Sequence, residues 1–178
     1  TAEGEEAPVT PASELERTVS LCAEEFHRRG LQQAWSRVIA VVAQPGVEFG
    51  DQTVHPYDRR RAALLCEAVR KLPGIVMEGH STDYQDRERL REMVEDGVAL
   101  LKVGPALTFA VREAFFALQR LEEELLAGEE EVRLSRLMEQ LDQAMLEQPS
   151  HWKGYYTGNE SQLRLARRYS LSDRCRYY

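Results

Sequence analysis

Side chains suited to acid–base chemistry are concentrated directly after the apolar run at residues 75–77. Glu78, His80 and Asp83 supply two carboxylates and an imidazole within six residues. Because Glu78 and His80 are two residues apart, a regular strand would place both side chains on the same face. A carboxylate and an imidazole on one face could converge on a single metal ion or on a substrate. Asp83 could accept a proton from a substrate hydroxyl or cap the next helix.

A capped turn is the alternative interpretation of the same stretch. Ser81, Thr82 or Asp83 could each serve the following helix as its N-cap, because short polar side chains accept hydrogen bonds from the free amides of a helix start. This interpretation does not account for Glu78 and His80, which precede the turn.

A third candidate group lies near the end of another apolar run. Lys102 interrupts the hydrophobic residues 98–103. Its ammonium group could neutralise a phosphate or an enolate oxygen. The alternative is a buried ion pair with Glu78, and both roles could hold in the resting protein.

The elements that must position these groups can be predicted from the hydrophobic pattern. Continuous apolar runs predict strands covered on both faces at residues 38–43, 75–77 and 98–103. Strands that alternate with helices predict a parallel sheet, in which the carboxyl ends of the strands lie along one edge. Gln44, Glu78, His80 and Lys102 are therefore expected to converge on one pocket at that edge.

Helical spacing of apolar residues predicts helices at residues 10–30, 58–72, 86–96, 106–127, 131–146 and 161–168. Thr10 is expected to cap the first of them, with Pro11 at the first helical position. In the helix over 106–127, an apolar stripe is expected to face inward, and its members are Leu107, Val111, Ala114, Phe115, Leu118 and Leu125.

Composition narrows the class of protein. The chain has 178 residues, of which 43% are hydrophobic and 30% charged, which is typical of a soluble globular domain with a real core. The net charge of −7 argues against nucleic acid as the main partner. Without a run of 18 apolar residues, no membrane span is expected. Three widely spaced cysteines match no metal motif and favour a reducing, cytoplasmic compartment.

The strand count indicates how the domain is organised. Three strands cannot close a barrel, and a (β/α)8 barrel needs roughly 250 residues. The simplest interpretation is that residues 1–178 form the C-terminal portion of a larger barrel, as one partial domain of βα units followed by helices.

The C-terminal segment, residues 169–178, has the sequence YSLSDRCRYY. Disordered linkers are depleted in aromatic residues, so this segment is expected to pack back toward the barrel rather than trail into solvent. Arg174 and Arg176 could bind a phosphate group. The alternative is that salt bridges of these arginines hold a docked tail.

Several segments together resemble a known family. VVAQPGVEFGD, EGHSTDYQ, LLKVGPALTFAVREAFFAL, HWKGYY and YSLSDRCRYY are similar, in order and spacing, to the Z-type (GatZ/KbaZ) subunit family of D-tagatose-1,6-bisphosphate aldolase. The resemblance runs from about residue 8 to residue 178. It implies a TIM (β/α)8 barrel related to the metal-dependent class II ketose-bisphosphate aldolases, with this chain matching roughly the second half and the C-terminal helices.

The resemblance also implies roles for individual residues. EGHSTD is similar to the class II loop in which a histidine binds the metal and a serine holds a substrate phosphate. This implies that His80 is the metal ligand and that Ser81 contacts the phosphate. LLKVGPALT is similar to a strand end that contacts substrate and phosphate, which implies such contacts for Lys102, Val103 and Gly104. Gly104 stands where catalytic aldolases carry asparagine, and Gln44 stands where they offer a histidine ligand. A divalent metal, zinc or similar, would have an incomplete site here, because the family's Asp-His strand is missing from this chain.

Three functions follow from these considerations and remain open at this point. The resemblance implies an oligomeric subunit that supports the activity and stability of a catalytic class II aldolase subunit. The pathway implied is ketose-phosphate catabolism, as in the breakdown of galactitol and tagatose. Alternatively, Glu78, Asp83 and Lys102 are catalytic, and the protein is itself a metal-dependent aldolase or 4-epimerase of fructose and tagatose 6-phosphates. The third possibility is a scaffold in which none of these groups contacts a ligand.

Overall fold

The computed structural model describes residues 6–178. The chain forms two compact units, the first made of residues 6–49 and 54–103 and the second of residues 50–53 and 104–178. The elements of the first unit are α1 (Ala12–Arg28), α2 (Gln32–Trp35), β1 (Ala40–Ala43), β2 (Glu48–Phe49), β3 (Val54–His55), α3 (Arg59–Arg70), β4 (Val76–Gly79), α4 (Arg87–Glu95) and β5 (Val98–Leu101). Those of the second are α5 (Pro105–Leu126), α6 (Leu137–Glu147), α7 (Glu160–Tyr169) and the 3-10 turns Pro149–His151 and Arg174–Tyr177. The single-domain prediction for residues 1–178 stays a prediction.

A parallel sheet of three strands lies at the centre of the first unit. The strand order is β1-β4-β5, and both neighbouring pairs are parallel. Glu78 of β4 is in register with Val42 of β1 on one side and with Leu100 of β5 on the other. The predicted α/β class and the predicted set of adjacent parallel strands are therefore confirmed.

The two faces of this sheet differ in burial. Met77 and Val98 are fully buried in a core that also contains residues of α1, α3 and α4. The opposite face carries Val42, which is 55% exposed, and Leu100, which is 41% exposed. The prediction that the strands are covered on both faces is thus wrong for the described residues, because the packed helices of this unit cover one apolar face only.

Two predicted helix caps are also wrong. Thr10 makes no side-chain cap for α1, and its Oγ1 instead accepts a hydrogen bond from Gln44 N (2.8 Å) at the end of β1. For α4, the N-cap is Asp86, whose carboxylate accepts from Arg89 N at 2.8 Å. The loop residues 81–83 therefore do not cap this helix and lie before its start.

In the second unit, helix α5 buries a different face from the one predicted. Leu107 (66% exposed) and Leu125 (74% exposed) mark an apolar stripe that is open to solvent among the described residues. Arg112, Phe116 and Gln119 are buried instead. Specific polar partners select this face, because Arg112 Nε donates to Asp173 (2.9 Å) and Gln119 Oε1 accepts from Met138 N (2.6 Å).

The C-terminal segment packs within the second unit rather than trailing into solvent, and its expected packing toward the barrel stays a prediction. Asp173 is buried and accepts hydrogen bonds from Arg112 and Thr108. Ser170 Oγ donates to Asp51 Oδ1 at 2.7 Å. Cys175 lies in a small core with Met145, Trp152 and Tyr156. Within residues 6–178, none of the helices combines the length and the apolarity needed to cross a bilayer.

Candidate functional site

The first pair of the candidate site is formed at the end of β4. Glu78 is the third residue of this strand, and His80 follows it directly. His80 Nε2 lies 2.7 Å from Glu78 Oε1. Both side chains therefore project to the same side of the sheet, as their spacing predicts.

Lys102 approaches the same carboxylate from the neighbouring strand. Its Nζ lies 3.5 Å from Glu78 Oε1. The backbone positions it, because Lys102 N donates to Gly79 O at 3.0 Å and so extends the parallel pairing of β4 and β5 by one step. The predicted ion pair is formed, but the prediction that it is buried is wrong, because the Lys102 side chain lies mostly in solvent. Glu78, His80 and Lys102 form one cluster, named here the strand-end cluster.

The strand-end cluster is open to solvent. The Lys102 side chain is 65% exposed, His80 is also partly exposed, and Glu78 lies deeper between them. An open cationic group beside an imidazole suits contact with a small anionic ligand.

The electrostatics of the cluster favour an ionised Glu78. The hydrogen bond from His80 lowers the pKa of Glu78 most, the nearby Lys102 charge lowers it further, and desolvation opposes both. An ionised carboxylate can only accept, so His80 Nε2 carries the hydrogen of this bond. His80 Nδ1 is then the ring nitrogen that can take up a proton or bind a metal, with Glu78 fixing the ring as carboxylates do for metal-binding histidines.

The loop that carries His80 is held by buried polar residues that the sequence analysis did not assign to the site. Thr82 Oγ1 donates to Lys102 O at 3.0 Å. Gln85 accepts from Tyr57 N (2.8 Å) and donates to His55 O (3.1 Å). These partners are 20 to 30 residues away along the chain, so no local sequence pattern could have revealed the contacts.

The remaining predicted residues of this loop have different surroundings. Ser81 adjoins His80 and has a left-handed backbone with φ of 55°. Asp83 is buried at 3% exposure. The predicted roles of Ser81 in phosphate binding and of Asp83 in catalysis stay predictions.

Gln44 takes no part in the strand-end cluster through its amide oxygen. Oε1 accepts hydrogen bonds from Gly46 N (3.2 Å) and Val47 N (3.1 Å) in its own turn. The side chain therefore shapes the loop after β1, and of the four groups expected to converge, the structure brings together Glu78, His80 and Lys102.

The other predicted phosphate-binding residues belong to the second unit. Gly104 precedes α5. The Arg174 guanidinium lies 3.0 Å from the Tyr155 ring centroid, and its Nη1 donates to His151 O. Arg176 donates to Ser172 O and to the Tyr177 hydroxyl. Their binding roles stay predictions. In the described part of the chain, no group of three or more His, Cys, Asp or Glu side chains is arranged to hold a metal ion.

Together, the fold and the site define an α/β protein whose reactive groups sit at the carboxyl ends of adjacent parallel strands. Comparison with known proteins gives the family: residues 1–178 match the family described as D-tagatose-1,6-bisphosphate aldolase subunit GatZ/KbaZ-like. The chain belongs to this family, which confirms the resemblance found in the sequence.

Two relatives show how much of a longer protein the chain covers. The chain is 46% identical, over 170 residues, to D-tagatose-1,6-bisphosphate aldolase subunit GatZ from Salmonella paratyphi B (strain ATCC BAA-1250 / SPB7), covering 96% of this chain and 39% of that protein. It is 44% identical to the crystal structure of a probable tagatose 6 phosphate kinase from Sinorhizobium meliloti 1021, with a TM-score of 0.90, covering 98% of this chain and 44% of that one. The chain thus spans less than half the length of either relative.

Proposed function

We propose that this chain is part of a D-tagatose-1,6-bisphosphate aldolase subunit that supports a catalytic class II aldolase subunit in ketose-phosphate catabolism. The observation that carries the proposal is the 46% identity over 96% of the chain to a protein named as that subunit. The same match favours a subunit role over an independent 4-epimerase.

The strand-end cluster supports a phosphorylated ketohexose as the ligand. Lys102 offers a solvent-facing ammonium group that can pair with a phosphate or with a developing enolate oxygen. His80 offers Nδ1 for proton transfer, while one oxygen of Glu78 contacts both His80 and Lys102. Arg174 and Arg176 are proposed as further phosphate contacts, and a cytoplasmic location and an oligomeric assembly belong to the same proposal.

Cleavage of D-tagatose 1,6-bisphosphate by a class II aldolase subunit, alone and mixed with this protein, tests the function. The wild-type protein is expected to raise the activity of the catalytic subunit. Lys102→Met is expected to reduce that gain about tenfold if the cluster contacts substrate, which corresponds to losing one hydrogen bond to a charged group at the low end of its usual strength. Lys71→Met is the matched control, because Lys71 is an exposed lysine directly after α3 that pairs with Glu67 at 2.9 Å.

The outcomes separate the three functions considered. No gain of activity with the wild-type protein would contradict the subunit proposal. An equal gain with wild type and Lys102→Met would mean that the protein supports its partner as a scaffold. Conversion of fructose 6-phosphate to tagatose 6-phosphate by this protein alone would instead favour the 4-epimerase.

We propose His80 as the residue that this chain would contribute to a divalent metal. The contact between its Nε2 and Glu78 supports this, because metal-binding histidines commonly donate their second ring nitrogen to a carboxylate. The described residues alone do not make a full site, since zinc in enzymes takes three or more protein ligands and Lys102 already places a positive charge beside Glu78. Metal content of a polypeptide of the relatives' full length, wild type against His80→Ala, tests this, and equal content would remove His80 from the site.

We also propose that the sheet is part of a TIM (β/α)8 barrel. Three consecutive parallel βα units and an uncovered apolar face with Val42 and Leu100 support it, since the inner face of such a barrel is filled by layers of branched side chains. The test is a crystal structure of this segment within a polypeptide of its relatives' length. A closed barrel is expected, and a sheet in which Val42 and Leu100 still face solvent would contradict it.

A further inference from the structure

We infer that Thr82 is a positioning residue of the strand-end cluster, which holds the chain segments of His80 and Lys102 at the separation at which both side chains contact Glu78. The inference rests on the site proposed above, but it concerns the geometry of that site and can be tested without any turnover.

The cluster depends on two segments that are distant in sequence. His80 Nε2 and Lys102 Nζ approach the same atom, Glu78 Oε1, at 2.7 and 3.5 Å. His80 lies after β4, whereas Lys102 lies after β5. A small change in the separation of these strand ends would therefore break one of the two contacts while leaving the other in place.

Thr82 ties these two segments directly. It is two residues after His80, and both its hydroxyl (3.0 Å) and its amide (3.4 Å) donate to the carbonyl oxygen of Lys102. The residue is only 2% exposed, so water does not compete for these hydrogen bonds. The backbone of Lys102 is thus held on its amide by Gly79 and on its carbonyl by Thr82.

The rest of the loop is restrained in a way that makes Thr82 effective. Ser81 and Tyr84 have left-handed backbone conformations, with φ of 55° and 61°, which non-glycine residues adopt only when their surroundings impose it. Gln85 fixes the far end of the loop through Tyr57 and His55. Because the loop is fixed at both ends, the hydrogen bond from Thr82 also fixes the position of Lys102 at the end of β5.

The test is an NMR measurement of the contact between the side chains of Lys102 and His80. In isotopically labelled wild-type protein, a nuclear Overhauser effect is expected between the ε-methylene protons of Lys102 and the imidazole protons of His80. Thr82→Val keeps the side-chain shape and removes the hydroxyl, and this cross-peak is expected to be lost. Thr82→Ser keeps the hydroxyl and is expected to restore it.

A matched control separates positioning from general loss of structure. Thr10→Val removes a comparable threonine hydrogen bond, the one to Gln44 N at the end of β1, and is expected to keep the Lys102–His80 cross-peak. Cross-peaks between the register partners Met77 and Val98 report that the sheet is intact in every variant. A folded Thr82→Val protein with an undiminished Lys102–His80 cross-peak would overturn the inference.

The wild-type protein provides an independent measurement if Thr82→Val does not fold. A buried hydroxyl that donates to Lys102 O should give a slowly exchanging proton signal for Thr82. A rapidly exchanging Thr82 hydroxyl would overturn the inference as well. Neither result depends on aldolase activity, so a failure of the proposed function would be seen separately in the cleavage assay.

Discussion

Arg112 Nε donates a 2.9 Å hydrogen bond to Asp173 Oδ1, and both side chains are almost completely buried. The pair joins α5 to the C-terminal segment within the second unit. Removing one partner of a buried ion pair leaves an uncompensated charge, which is far more costly than losing an exposed pair. This contact is therefore expected to hold the segment in place.

Asp173→Asn tests the importance of that pair for stability. Asparagine tolerates the left-handed backbone of this position, where φ is 46°, so the change removes charge with little backbone strain. The free energy of unfolding is expected to fall by about 3 kcal/mol, measured by urea denaturation. Glu25→Gln is the control, because Glu25 pairs with Arg28 and Arg29 on an exposed face of α1 and a small change is expected. Equal effects of the two variants would contradict the prediction.

The three cysteines are expected to differ in reactivity. Cys22 is exposed, whereas Cys66 and Cys175 are buried. Burial raises the pKa of the Cys66 thiol and raises that of Cys175 to about 12, and the thiolate is the reactive form. A thiol reagent at pH 8 should therefore modify Cys22 rapidly and the other two only after denaturation. Cys22→Ser should abolish the fast phase, and a fast phase that persists in this variant would contradict the prediction.

The pH dependence of the strand-end cluster follows from the lowered pKa of Glu78. Since the folded pKa lies below the ordinary value of 4.5, the contribution of Glu78 to stability is present above pH 4.5 and is lost as the pH falls through the folded pKa. Carbon-13 NMR of the Glu78 carboxyl should give a midpoint below 4.5 in wild type.

Variants of the two partners test the cause of that shift. His80→Ala is expected to raise the pKa of Glu78 more than Lys102→Met, because the His80 hydrogen bond is the larger cause. A midpoint that is the same in wild type and in both variants would show that these contacts do not form in solution.

Sequence reasoning succeeded where the signal is local. The apolar runs located the strands of the parallel sheet, and the two-residue spacing of Glu78 and His80 gave their common side. In these cases, the residues that determine the structure lie within a few positions of one another.

Sequence reasoning failed where residues distant in the chain determine which side chains are buried or bonded. The buried face of α5 is chosen by Arg112 and Gln119, whose partners Asp173 and Met138 lie 61 and 19 residues away. A hydrophobic pattern favours burial of the apolar stripe and contains no information about these polar contacts. The amide of Gln44 turned to its own loop for a related reason, since the backbone amides it binds become available only once the turn has formed.

Gly46, in the loop after β1, tests whether a positive φ and a close contact require glycine at this position. Its φ is +88°, and a Cβ atom placed there would lie 2.9 Å from Val9 Cγ2. Gly46→Ala should therefore incur both backbone strain and a steric clash. Gly30, which follows α1, also has a positive φ, +71°, but a Cβ there would meet nothing within 4 Å. Gly30→Ala thus isolates the cost of backbone strain, which is about 1 kcal/mol.

The comparison of these two variants separates the two costs. Gly46→Ala is expected to lower the free energy of unfolding by the same strain cost of about 1 kcal/mol, plus a further loss of about 1–3 kcal/mol from the contact with Val9, measured by urea denaturation. The double variant Val9→Ala, Gly46→Ala removes the obstructing methyl group and should recover part of that loss relative to Val9→Ala alone. Equal destabilisation by Gly46→Ala and Gly30→Ala would contradict the predicted clash and would mean that the segment around Val9 moves aside without cost.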